Sequence, residues 1–223
     1  MESVISYLRS GTNKFRHLTV AMALWFILFP VFQQIPFGYI YLNVLTSAIM
    51  LFGIFAVNRS KKAVATGLSL GLPWFILSWI DILVTSLPGP LMMVTNLFLA
   101  LFLGFTAVSI LSYIVRATEI SRDLLFGAAC IYVLIGGTWA TIFMVLQTVQ
   151  PGSIMNVVTG TVNLSDLVYF SFSTLTTLGY GDLIPVSTTA RSLAIIEAVA
   201  GVLYIAIIIS RLVGIFIANT WKK

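Results

Sequence analysis

The chain has 223 residues, of which 59% are hydrophobic and only 9% charged, and its mean hydropathy is +1.05. Soluble domains carry about 25% charged residues, so this composition excludes a soluble globular protein and predicts an all-α polytopic membrane protein. The net charge of +5 comes from short basic clusters between apolar runs. No nucleic-acid motif accompanies them, and the excess reads as a topology signal.

The single cysteine, Cys130, lies inside an apolar run and has no intrachain partner for a disulfide. One histidine, His17, and no Cys/His cluster leave a zinc site without ligands. The first apolar run is long and no small-residue cleavage pattern follows it, so no removable signal peptide is expected. No nucleophile–base pair or phosphate loop stands out, and no enzyme activity or cofactor is expected.

In chain order, apolar runs cover Leu18 to Ile35 and Phe37 to Val57, then Ala63 to about Leu87 beyond "NRSKK". "PGP", Pro88 to Pro90, marks a turn. A fourth run extends from Leu91 to about Val115, followed by the mixed-charge "RATEISRD". That piece reads as a solvated turn or as an amphipathic linker on the membrane surface, with the turn favoured. A fifth run covers Leu124 to about Leu146, and a sixth Ser192 to about Ala218. Pro30 and Pro73 fall inside runs, which membrane helices tolerate better than soluble ones.

If each run crosses once, Arg9, Lys14, Arg16, Arg59, Lys61, Lys62, Arg116, Arg122, Lys222 and Lys223 fall on one side. Arg211 lies near the same end of the last helix, and only Arg191 falls on the other side. By the positive-inside rule both termini are cytoplasmic, with six crossings of the cell membrane. The stretch from Val149 to Arg191 lies outside. Its semi-apolar piece, "SDLVYFSFSTLTT", is too short to span, which predicts a re-entrant helix with irregular backbone after it. Irregular backbone at membrane depth persists only where protein shields it or where it lines water.

That backbone is Thr177-Leu178-Gly179-Tyr180-Gly181-Asp182, and it resembles the selectivity filter of the potassium channels, T-V-G-Y-G-D, with Leu in place of Val. A potassium ion sheds water only where oxygens replace it, and rings of backbone carbonyls supply them. The resemblance implies that K⁺ sits against the carbonyls of Thr177, Leu178, Gly179 and Tyr180, with Gly181 completing the filter. Glycine relieves the backbone angles that aligned carbonyls demand. One filter per chain implies a homotetramer in the lipid bilayer.

The flanks extend the resemblance. Ser165 is expected to cap a pore helix beginning at Asp166, and that helix would run toward Thr176 with its negative end beneath the filter. Tyr169 and Phe170 match the paired aromatics that brace the filter tyrosine in that family. Ser173 stands where some members carry a glutamate, and Asp182 closes the motif. Gly201 matches the hinge glycine of the family's inner helix. By helical spacing Ala198, Val202, Ile205 and Ile209 share a face expected to line the cavity. Glu197 has two readings of equal weight: it sits behind the filter and bonds Ser173 or Thr176, or it is a carboxylate at the outer rim.

The resemblance covers about residues 118 to 220, which divides the chain into a front domain, 1–117, and a pore domain, 118–223. The front half matches the voltage-gated members only in its number of segments. Its fourth run carries no basic residue before Arg116, so the usual arginine ladder is missing. Asp81 is expected near the outer end of its helix, close to Asn96. No ligand-binding domain is expected after the last helix, and the Asn163-Leu164-Ser165 sequon reads as a helix start before a glycosylation site. The function implied is passive K⁺ conduction without an arginine-bearing sensor. The alternatives are a weakly selective cation channel or a non-conducting regulatory subunit; a transporter would need repeats that the sequence does not show.

Overall fold

A computed structural model describes residues 14–58, 60–84 and 87–220. Six helices are long and apolar enough to cross a membrane. They are α1 (Lys14–Phe32), α2 (Gly38–Val57), α3 (Lys61–Val84), α4 (Gly89–Arg116), α5 (Arg122–Val149) and the last, α7 (Thr188–Thr220). Between α5 and α7 lies the short α6 (Leu164–Leu175), flanked by β1 (Ile154–Asn156) and β2 (Leu183–Pro185). The chain is an all-α membrane protein in architecture. Arg9, Arg59, Lys222 and Lys223, which entered the charge count, lie outside the described residues.

The helices form where the apolar runs are, and α1 and α3 continue through Pro30 and Pro73. Pro88 and Pro90 mark the start of α4, where a missing N–H costs nothing. The "RATEISRD" segment is a turn: Ala117 to Ser121 is irregular, and the Ser121 hydroxyl caps α5 by accepting from the Leu124 N–H.

Two sets of polar contacts tie α1 to α5 and α4 to α7 at the basic end of the bundle. Asp123, in the first turn of α5, accepts from the backbone N–H groups of Phe15 and Arg16 at 3.1 and 3.2 Å. These are orphan donors at the start of α1, so Asp123 caps a helix more than one hundred residues away. At the end of α7, the Arg211 guanidinium donates to the carbonyls of Ile114, Val115 and Ala117, the last acceptors of α4. A continuous core between these anchors includes Leu18, Phe102, Ile110, Ile131 and Leu134, drawn from α1, α4 and α5.

Candidate ion-conducting site

β1 and β2 are antiparallel, pairing Ile154 with Pro185 and Asn156 with Leu183. The Val157 N–H also donates to the Asp182 carbonyl at 2.8 Å. This clasp closes the segment that carries α6 and the filter, so both ends of an irregular loop are pinned against α5 and α7. Two strands of three residues leave no period for sequence reading to detect, and nothing in the sequence predicted them.

The start of α6 differs from the expectation. Asn163, not Ser165, is the N-cap, and the helix begins at Leu164. The Asn163 side chain accepts from the Asp166 N–H at 3.0 Å, and Asp166 accepts from the Asn163 N–H at 2.9 Å, a reciprocal capping box. Ser165 donates to Asn163 Oδ1 instead of capping. The sequon amide is thereby committed to the helix start.

Beyond Thr176 the backbone changes character. Thr177, Gly179 and Gly181 have φ of 59°, 53° and 84°, while Leu178 and Tyr180 between them do not have positive φ. For a β-branched residue such as Thr177 this conformation is a genuine outlier, and such strain persists where the surroundings over-determine it. Here they do. The Thr177 N–H donates to the Thr174 carbonyl at 3.0 Å, and the Leu178 N–H to the Ser173 carbonyl at 2.8 Å. The Gly179 N–H reaches the Ser173 hydroxyl at 3.1 Å. Alternating handedness collects the N–H groups on one side of a chain and leaves the carbonyls on the other. Among the described residues, none donates to the carbonyls of Thr177, Leu178, Gly179 or Tyr180. All residues from Thr176 to Gly181 are exposed in the single chain.

Ser173 therefore anchors the backbone at Leu178 and Gly179 through both its carbonyl and its hydroxyl. Thr176 spends its hydroxyl on the Phe172 carbonyl at 2.7 Å. Tyr169 donates to Asp182 Oδ1 at 3.2 Å, so within the chain its hydroxyl holds Asp182. Partial burial, then the Asp182 carboxylate, raises the Tyr169 phenol above its ordinary pKa. Phe170 points into the core, edge-on to Phe143 of α5 at 5.0 Å.

Glu197 is fully buried, which removes the rim reading. Its partner is Ser171, at 2.5 Å, and neither Ser173 nor Thr176. The Ser171 hydroxyl is also 2.8 Å from the Gly136 carbonyl, so α5, α6 and α7 meet at one hydroxyl. A serine has one proton to donate and cannot serve both acceptors at once. Glu197 Oε2 is buried with no partner. Sequence reasoning singled out the acid but missed Ser171 and Gly136, since which hydroxyl of α6 and which carbonyl of α5 face Glu197 depends on how those helices rotate against α7.

Gly201 is buried, and a Cβ there would strike the carbonyl oxygen of Leu175, the last residue of α6. The same carbonyl accepts from Tyr132 of α5 at 3.3 Å. The glycine is a point of close approach beneath the filter. Ala198 is half-buried, and Val202, Ile205 and Ile209 are exposed. Val199, Leu203 and Ile207 are equally bare, so exposure alone does not distinguish the expected cavity stripe from the other faces of α7.

With this geometry in view, the family model described as an ion channel matches residues 125–218, from the start of α5 nearly to the end of α7. No curated protein and no solved structure matches the chain. The match supports an ion channel, and the six long apolar helices a multi-pass membrane protein.

Proposed function

We propose that the chain is a K⁺-selective channel that conducts passively through a homotetrameric pore in the cell membrane. The observation that carries this reading is the positive φ at every second residue of Thr177–Gly181, with N–H groups anchored on Ser173 and four successive carbonyls left unpaired. Four copies of that ladder around an axis would replace the hydration shell of a dehydrated cation.

The Thr177, Leu178, Gly179 and Tyr180 carbonyls bind the ion, and Gly181 permits the turn out of the filter. Ser173 and the β1–β2 clasp hold the ladder in place, and Tyr169 holds Asp182. The C-terminal end of α6, with the negative pole of its dipole, faces the same region. The bare apolar faces of α7 suit a pore lining on one side and neighbouring chains or lipid on the others. Charge movement by an arginine ladder has no residues to carry it, since α4 has no basic side chain before Arg116.

The test is the reversal potential of purified protein in planar bilayers with K⁺ on one side and Na⁺ on the other. The expected result is a reversal displaced strongly toward the K⁺ equilibrium potential. Robust current reversing near zero would refute selectivity and favour a weakly selective cation pore. A folded, assembled protein that carries no current under any voltage would favour a regulatory subunit.

A further inference from the structure

A cavity of about 330 Å³ lies among α1 to α6, away from the filter's exposed face. Its walls are apolar, and they include the rings of Trp25, Phe26 and Phe29 of α1, Trp74 of α3 and Phe172 of α6. Its polar groups are Asn43, Thr46, Ser78, Asp81, Thr95 and Asn96. These belong to the filter-side halves of α2, α3 and α4, so the cavity has a polar end and an apolar floor.

Three of those polar groups already hold hydrogen bonds. Thr46 donates to the Leu42 carbonyl and accepts from Trp25 Nε1, Ser78 donates to the Phe75 carbonyl, and Thr95 to the Leu91 carbonyl. Asp81 and Asn43 retain bonding capacity. Asp81 Oδ1 accepts from the Leu87 N–H at 2.7 Å, which leaves the rest of the carboxylate available. Asn43 Nδ2 is buried with no partner. No Lys, Arg or His lines the cavity among the described residues, and none of them form a cluster able to hold a metal ion.

A lone carboxylate in an aromatic chamber without a basic counter-ion is poor ground for an inorganic cation, which needs several oxygen ligands. It suits an organic ammonium, whose charge pairs with the acid and whose carbon groups lie on ring faces. We propose that this cavity binds a lipophilic ammonium compound, its nitrogen at Asp81 and its apolar part toward Trp74 and Phe172. An ether or carbonyl oxygen in the same ligand would satisfy Asn43 Nδ2. The site contacts α6 through Phe172, one residue before the filter anchor Ser173, so occupancy reaches the back of the filter.

The experiment is equilibrium dialysis of radiolabelled N,N-dimethyl-4-phenylbutylamine against the full chain in phosphatidylcholine nanodiscs, corrected for empty discs. Its carbon isostere, with CH in place of nitrogen, is run alongside. Binding is read without current, so the result does not depend on ion selectivity. The amine is expected to bind saturably, and more tightly than the isostere. Asp81→Asn keeps an acceptor for the Leu87 N–H and should weaken amine binding about tenfold, the equivalent of one charge-assisted hydrogen bond, while leaving the isostere unchanged. Ser78→Phe fills the chamber from α3 and should remove saturable binding of the amine. Amine binding equal in wild type and Asp81→Asn, retained in Ser78→Phe, or no greater than to empty discs overturns the proposal.

Discussion

Replacing Gly201 with alanine separates two roles that a glycine in the inner helix can play. If its value is flexibility, alanine should stabilise the folded chain, since glycine inside a helix costs about 1 kcal/mol relative to alanine. The structure gives a different reason for it. A Cβ at 201 would overlap the Leu175 carbonyl and come within 2.9 Å of Leu175 Cδ1. The side chain can rotate away, but the carbonyl belongs to the last turn of α6 and is held by Tyr132. Relief therefore means separating α6 from α7, and overpacking of this kind costs about 1–3 kcal/mol.

Gly214, in the same helix, is an internal control, because a Cβ there meets nothing within 4 Å. Gly214→Ala should gain up to about 1 kcal/mol from propensity alone. Gly201→Ala gains the same term and loses the clash, so it should fall below Gly214→Ala by about 1–3 kcal/mol. The assay is reversible unfolding of both variants in mixed SDS–dodecylmaltoside micelles. Equal stabilisation of the two would refute the close-approach reading and return Gly201 to a hinge role. K⁺ current should fall in Gly201→Ala, because Leu175 lies two residues before Thr177.

Four further outcomes follow from the geometry. Glu197→Ala should destabilise the chain by about 2–4 kcal/mol, from a lost buried hydrogen bond and a cavity, whereas Glu197→Gln keeps the shape and should stay within about 1 kcal/mol. A Glu197/Ser171 double-mutant cycle should give a coupling of at least about 0.5 kcal/mol, and strict additivity would mean that the 2.5 Å contact carries no energy. Gly179→Ala, forced to keep φ near 53°, should abolish K⁺ selectivity while the protein still elutes as the wild-type assembly. Arg211→Gln removes the guanidinium over the end of α4, whose carbonyls the shorter amide does not span, and should cost about 1–3 kcal/mol in the same unfolding assay; Arg211→Lys should recover only part, since an ammonium lacks the fork that spans several carbonyls.

The six spans were legible because apolar runs and basic clusters are properties of long windows, in which single residues matter little. The irregular segment after α6 was legible for the opposite reason: Gly179 and Gly181 sit two apart where a helix period should continue, and only an irregular backbone needs them. What escaped depends on rotation. Ser171, Ser173 and Thr176 lie within six residues of one helix, and which of them meets Glu197 is set by how α6 turns against α5 and α7. The cap shifted by two residues because Asn163 and Ser165 are both good caps; Asp166 at the third helical position decides for Asn163 by closing the box. Phe170 and Tyr169 parted in the same way, one into the core and the other to Asp182.

The front half had the least readable role, and its packing now restricts what that role can be. α1 is held to α5 by Asp123 at one end, by the Thr19–Cys130 contact at 2.9 Å farther along, and by Phe26 edge-on to Phe172 of α6 at 4.8 Å. α4 is held to α7 by Arg211. A sensor that slides through the membrane needs a helix free to move along its axis and charges to move it. α4 has neither, since its basic-end carbonyls are tied to the inner helix and its apolar length carries no cation. What these contacts permit is transmission of small displacements. Strain in α1 reaches α6 directly through Phe172, and strain in α4 reaches the basic end of α7 through one guanidinium. A displacement in α1 or α4 therefore meets α6 at Phe172 and α7 at Arg211.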